Sequence, residues 1–135
     1  MYLRDYHVFV SHSWKYKDEY YRFMNLIKDA NYLKISNFSV PEHDRLDTRT
    51  DKELYEALER QIKSASIVVI LAGMYVNHST WIDKEIEIAK RYNKPIIGVK
   101  PLGNVLVPNK VFLASKEVVG WSTSSIVDAI RRYAL

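Results

Sequence analysis

The run Ile67-Val68-Val69-Ile70-Leu71 constrains the fold of this chain more than any other segment. In an extended strand, consecutive side chains point to opposite faces, so five apolar residues in a row need cover on both sides. Two further runs share this character: His7-Val8-Phe9-Val10 and Pro95-Ile96-Ile97-Gly98-Val99. None alternates apolar with polar residues, which is the signature of a sheet with one wet face. Strands buried on both sides predict a parallel sheet with helices on each face.

Two weaker strand candidates are Phe38-Ser39-Val40 and Glu117-Val118-Val119-Gly120-Trp121. Helical stripes separate the five. Tyr20, Phe23, Met24, Ile27 and Ala30 form one, and Leu54, Leu58, Ile62 and Ala65 form the next. A third helix carries residues 81–92, and Ile126, Ile130 and Tyr133 mark a last one after the Ser/Thr cluster at 122–125. Between Val99 and Lys116 the pattern is irregular, with room for one short helix. The alternation predicts a three-layer α/β fold with a flavodoxin-like, five-stranded parallel sheet in the order 2-1-3-4-5. No internal repeat or linker interrupts it, so residues 1–135 read as one domain, long enough to bury a core. In such sheets ligands bind beyond the carboxyl ends of the strands, where the strand order reverses. Here that crevice lies between the first and third strands, beside Ser11-His12-Ser13-Trp14 and Gly73 to His78.

The third helix holds an anomaly. Thr80 with Asp83 three residues later resembles a capping box. At about 100° per residue, Trp81, Ile82, Ile86, Ile88, Ala89 and Tyr92 fall on one arc. Asp83, Lys84, Glu87, Lys90 and Arg91 fall on the other. Glu85 alone breaks the sorting, because it lies inside the apolar arc, where a carboxylate is costly to bury. Either its stem covers the core while its carboxylate reaches solvent, or the acid serves a site.

Several function classes are removed by what the chain lacks. With no cysteine it has no disulfide, thiolate metal site or cysteine nucleophile. The net charge of +4 is spread along helical faces without the clustered basic stripe of a nucleic-acid surface. The first residues carry no signal pattern, and the longest apolar run, Ile67 to Val76, is too short to span a bilayer. No membrane, no nucleic acid and a cytoplasmic location are therefore expected. No glycine loop follows the first strand, which excludes the dinucleotide mode built on one. A phosphoacceptor receiver would need acids after the first strand and an aspartate after the third; Ser11-His12 and Ala72-Gly73 stand there, and Lys100 matches only by position. His12, His43 and His78 each follow a different strand, but without paired ligand spacing they favour polar contacts over a metal.

Taken together, Phe9-Val10-Ser11-His12-Ser13, Phe38-Ser39-Val40-Pro41, Gln61-Ile62-Lys63-Ser64-Ala65 and Trp81-x-x-x-Glu85 resemble the TIR domain. The Ser-His-Ser-Trp, Ser-Val-Pro and Gly-Val-x-Pro-x-Gly (98–103) stretches narrow the likeness to the TIR-like ThsB family of Thoeris antiphage defence.

That resemblance implies NAD as substrate rather than resident cofactor, and cleavage of its nicotinamide–ribose bond by Glu85. It implies a cyclic or modified ADP-ribose signal reaching a separate effector protein, and self-association. Phe9 would line the pocket with Ser11, His12 and Trp81, and Asp44, in the loop from Pro41 to Thr48, would contact substrate. One acid suits this chemistry: nicotinamide leaves as a neutral molecule without a proton, leaving an oxocarbenium-like centre to stabilise. Two other readings keep the fold: a non-enzymatic interaction module, and a hydrolase acting on nucleotide signals.

Overall fold

The structure is a computed structural model that describes residues 5–11, 17–28, 34–37, 51–72, 75–100 and 107–135. Its strands are β1 (Asp5–Val10), β2 (Lys34–Asn37), β3 (Ile67–Leu71), β4 (Ile96–Val99) and β5 (Glu117–Val119). They form one sheet in the order β2-β1-β3-β4-β5, every pair parallel. Every residue of β3 and β4 is buried, as continuous apolar runs require. Among the described residues the helices are α1 (Lys17–Ile27), α2 (Asp51–Ser64), α3 (Tyr75–Arg91), α4 (Asn109–Ala114) and α5 (Thr123–Tyr133).

Crossover handedness assigns the layers. The chain leaves β1 for β2 through α1, then returns past β1 to β3 through α2, so right-handed connections put these helices on opposite faces. Side-chain contacts agree. On one face α1 meets the C-terminal segment: Thr123 Oγ1 donates to Leu26 O at 2.7 Å, and the Phe23 and Trp121 rings meet edge to face at 6.3 Å. On the other face, Arg91 of α3 pairs with Glu59 of α2 at 3.3 Å. One continuous core joins the layers and includes Phe9, Phe23, Ile62, Val69, Ile86, Ile97 and Ile130.

Two local features set the depth of the α3–β4 region. The carboxyl end of α3 closes in a Schellman turn: Lys94 N–H donates to Ala89 O and Asn93 N–H to Lys90 O. Asn93 takes the left-handed conformation (φ 56°) that this cap requires, and Pro95 stops the helix. At Gly98 a Cβ would stand 3.1 Å from Ser115 Oγ and 3.3 Å from Val111 Cγ1, so the absent side chain lets α4 seat on β4.

Three expectations shift. The second strand lies at Lys34–Asn37, ahead of Phe38-Ser39-Val40, which falls outside the described residues. As an edge strand with one apolar residue, it carries little hydrophobic signal. The last strand stops at Val119, short of Gly120 and Trp121. Finally, α3 begins at Tyr75, so Thr80 sits within the helix and is not its cap. No glycine or proline stands between Tyr75 and Thr80 to delay the start.

Candidate active site

Helix α3 sorts its side chains as its periodicity requires. Ile82, Ile86, Ile88 and Ala89 are buried, Glu87 and Lys90 are exposed, and Asp83 turns outward to pair with Lys110 of α4 at 3.2 Å. Glu85 goes in with the apolar set and is 3% exposed. Its carboxylate does not reach solvent, so the boundary reading fails. Its Oε2 has no hydrogen-bond partner among the described residues. Burial pushes its pKa up from 4.5 to about 8, because the charged form loses its hydration. At neutral pH the resting side chain is thus a protonated acid in an apolar layer.

Only one other polar side chain is as deeply buried among the described residues. Ser11, directly after β1, has its hydroxyl accepting the Leu71 N–H at 2.9 Å, while its own N–H donates to Val69 O at 2.8 Å. Ser11 therefore seals the carboxyl end of the β1–β3 seam, where the strand order reverses. Sequence reasoning read this residue as a substrate contact and missed the bond to β3, which depends on a register no local pattern reveals.

The remaining candidates separate clearly. Phe9 is 1% exposed, opposite Val68 in the ladder and two residues before Ser11, so both project from the same face of β1. Trp81 lies on α3 one turn before Glu85. His12 and Asp44 lie outside the described residues, as does His43. The described residues hold no group of three or more metal-ligating side chains, and none of their helices is long and apolar enough to cross a membrane.

The chain and its parallel sheet have counterparts among known proteins. The family described as "Thoeris protein ThsB, TIR-like domain" matches residues 9–105, well over half of the chain. The chain belongs to this family. The ThsB TIR-like match takes in the end of β1, the seam residue Ser11, Trp81 and Glu85, and stops before β5 and α5. Among solved structures, the chain is similar to the CMP N-glycosidase BcmB of Clostridium botulinum, with a TM-score of 0.52. That alignment covers 94% of this chain and 99% of the other at 15% identity, a likeness of fold. No curated protein sequence matches.

Chemically, a neutral acid held in an apolar layer is a latent carboxylate. A cationic group brought against it favours ionisation, and the low-polarity surroundings then strengthen the attraction between the two charges.

Proposed function

We propose that this chain breaks the N-glycosidic bond between nicotinamide and ribose in NAD, with Glu85 as the catalytic acid. The observation that carries the reading is a buried glutamate on α3 of a ThsB TIR-like chain whose Oε2 has no hydrogen-bond partner among the described residues. Burying an unpartnered carboxyl works against folding and is retained where a site uses it. The BcmB structure lends support of a general kind: as a CMP N-glycosidase, that protein also acts on a nucleotide's glycosidic bond.

NAD presents a positively charged nicotinamide ring, and the charge passes to the ribose as the bond breaks. The bonding electron pair leaves with neutral nicotinamide, and the ribosyl carbon becomes oxocarbenium-like. Glu85, ionised by the approaching cation, stabilises that centre. Water or a hydroxyl of the same ADP-ribose unit then adds its oxygen to the carbon and releases a proton. The second course, which needs water kept out, gives a cyclic product. Phe9, Ser11, His12, Asp44 and Trp81 belong to the proposed pocket, with Ser11 acting through the seam it closes. In this reading the chain is a cytoplasmic, self-associating enzyme of antiphage defence whose nucleotide product reaches a separate effector.

The test is mass spectrometry of nucleotides from cells expressing wild type or Glu85→Gln, with and without phage. The expected result is nicotinamide plus a new ADP-ribose derivative from wild type only. Identical nucleotide profiles from both would falsify the assignment.

A second reading, an interaction module without turnover, draws on Phe112 and Leu113, which stand 60% and 80% exposed side by side on α4. It predicts that Glu85→Gln keeps its role in cells, while Phe112→Ser/Leu113→Ser loses it.

A further inference from the structure

The amino-terminal edge of the sheet carries a feature that the Glu85 chemistry does not use. A cavity of about 510 Å³ opens there, where the chain enters β4 and β5. Pro95, Ile96 and Ala114 contribute its apolar lining, with Pro95 and Ile96 buried. Four cationic side chains line it too: Lys90 and Lys94 from the end of α3, Lys116 ahead of β5, and Arg132 of α5. No aspartate or glutamate is among the lining residues.

The four cations are not equivalent. Arg132 is already committed, bridging Glu117 at 2.9 Å and Asp128 at 2.9 Å, so it brings little net charge. The lysines differ: none of Lys90, Lys94 and Lys116 has a carboxylate partner among the described residues. Three lysines on the lining of one concavity, none in a side-chain ion pair among the described residues, favour a multiply charged anion there. Lysine suits phosphate as a mobile point charge.

The backbone holds two of the three stems in place. Lys94 N–H donates to Ala89 O in the Schellman turn, and Lys116 N–H donates to Ile96 O at 2.7 Å. Their α-carbons are therefore tied to the end of α3 and to β4, whichever way the ammonium groups swing. The volume falls within the range of about 300–1,000 Å³ typical of small-ligand sites, well above what a bare inorganic anion fills. A concave, partly apolar cavity also favours a free nucleotide over a nucleic-acid strand, which tracks along an extended groove.

We propose that this cavity binds the diphosphate group of a free nucleotide, at a site separate from Glu85. Lys90, Lys94 and Lys116 hold the phosphates, and the Pro95–Ile96–Ala114 lining receives the nucleoside. Lys116 and Arg132 lie beyond residue 105, so part of this site falls outside the stretch that matches the ThsB TIR-like family. The proposal does not depend on what Glu85 does.

The experiment is an amide NMR titration of the whole chain with ADP, inorganic pyrophosphate and adenosine. A single-stranded oligonucleotide serves as a fourth probe. ADP and pyrophosphate are expected to shift the amides of Lys94, Ile96 and Lys116, with affinity falling as salt rises. ADP should bind more tightly than pyrophosphate, and adenosine weakly. Lys94→Glu/Lys116→Glu should weaken both phosphate probes by about tenfold or more, while Glu85→Gln leaves the shifts at these amides intact. Unchanged far-ultraviolet circular dichroism shows that the charge-reversed chain is folded. The proposal is overturned if these amides do not move, if adenosine binds as well as ADP, if the oligonucleotide binds more tightly than either phosphate probe, or if charge reversal leaves binding unchanged. Nucleotide profiles left unchanged by Glu85→Gln, with these amide shifts intact, would leave the site standing and bring down only the Glu85 reading.

Discussion

Two glutamates, Glu85 and Glu117, occupy opposite environments. Glu85 is carried into the core on α3 and finds no partner for Oε2 among the described residues. Glu117 opens β5 at the amino edge, where it accepts from Arg132 Nη2 at 2.9 Å and from the Tyr133 hydroxyl at 3.1 Å. Burial drives the Glu85 pKa up to about 8; chiefly the hydrogen bond from Arg132 holds that of Glu117 below its usual value. One carboxyl is part of the scaffold, tied down and already ionised. The other is buried and, with its pKa raised to about 8, neutral at a cost to folding. A structural acid finds its partners within the chain; in the proposed function, Glu85 leaves that place for the substrate.

The contrast is broken most sharply at Glu85 itself. On the proposed function, replacing it with glutamine should reduce NAD turnover by roughly 10²- to 10⁴-fold, since the neutral amide cannot balance an oxocarbenium charge. The readout is nicotinamide release under conditions where wild type is active, with thermal melting to show that the fold persists.

The second effect is on stability and has a sign. An acid with a pKa raised in the folded state binds its proton more tightly there than in the unfolded chain. As pH rises from about 5 to 8 the unfolded chain ionises first, so wild type loses stability through that window. The loss is on the order of 3 kcal/mol before relaxation of the site reduces it. Urea midpoints should therefore fall with pH in wild type and stay nearly flat in Glu85→Gln. Parallel slopes would show that Glu85 is solvated or paired after all.

Ser11 serves as the control, being equally buried but partnered. Ser11→Ala strands the Leu71 N–H and should cost about 1–3 kcal/mol at every pH, measured by the same denaturation. Smallest of all is Glu117→Gln, which removes a half-exposed, salt-screened pair. Because the Glu117 pKa is depressed, its contribution exists above the unfolded value and fades as pH falls through the folded one. Melting at neutral pH should show a slight drop that vanishes in acid and in high salt.

How much of this was legible in the sequence depended on whether a signal was local. The strands β1, β3 and β4 could be read because burial on both faces leaves an unbroken apolar run. At the edge, β2 spends one apolar residue, Ile35, among Lys34, Ser36 and Asn37, and was expected four residues too late. Glu85 stood out because its neighbours at helical spacing fixed its face. That its Oε2 lacks a partner among the described residues was invisible, since any partner would come from another element. The Ser11–Leu71 bond joins residues 60 apart in sequence. The lysines of the amino edge, at positions 90, 94 and 116, looked like scattered surface charge until the sheet order brought the starts of β4 and β5 together.

The strand order has one more consequence, and it concerns synthesis. The first strand made, β1, lies inside the sheet between β2 and β3, and β3 ends only at Leu71. A chain emerging from the ribosome therefore carries Val8, Phe9 and Val10 for some sixty residues with one hydrogen-bonding edge bare, in the form most prone to pair with a neighbouring chain. Chains truncated before Ile67 should aggregate rather than fold, whereas chains that run past Leu71 have the means to shield that edge. The same placement that puts the seam of Ser11 between the central strands leaves β1 most vulnerable until β3 has been made.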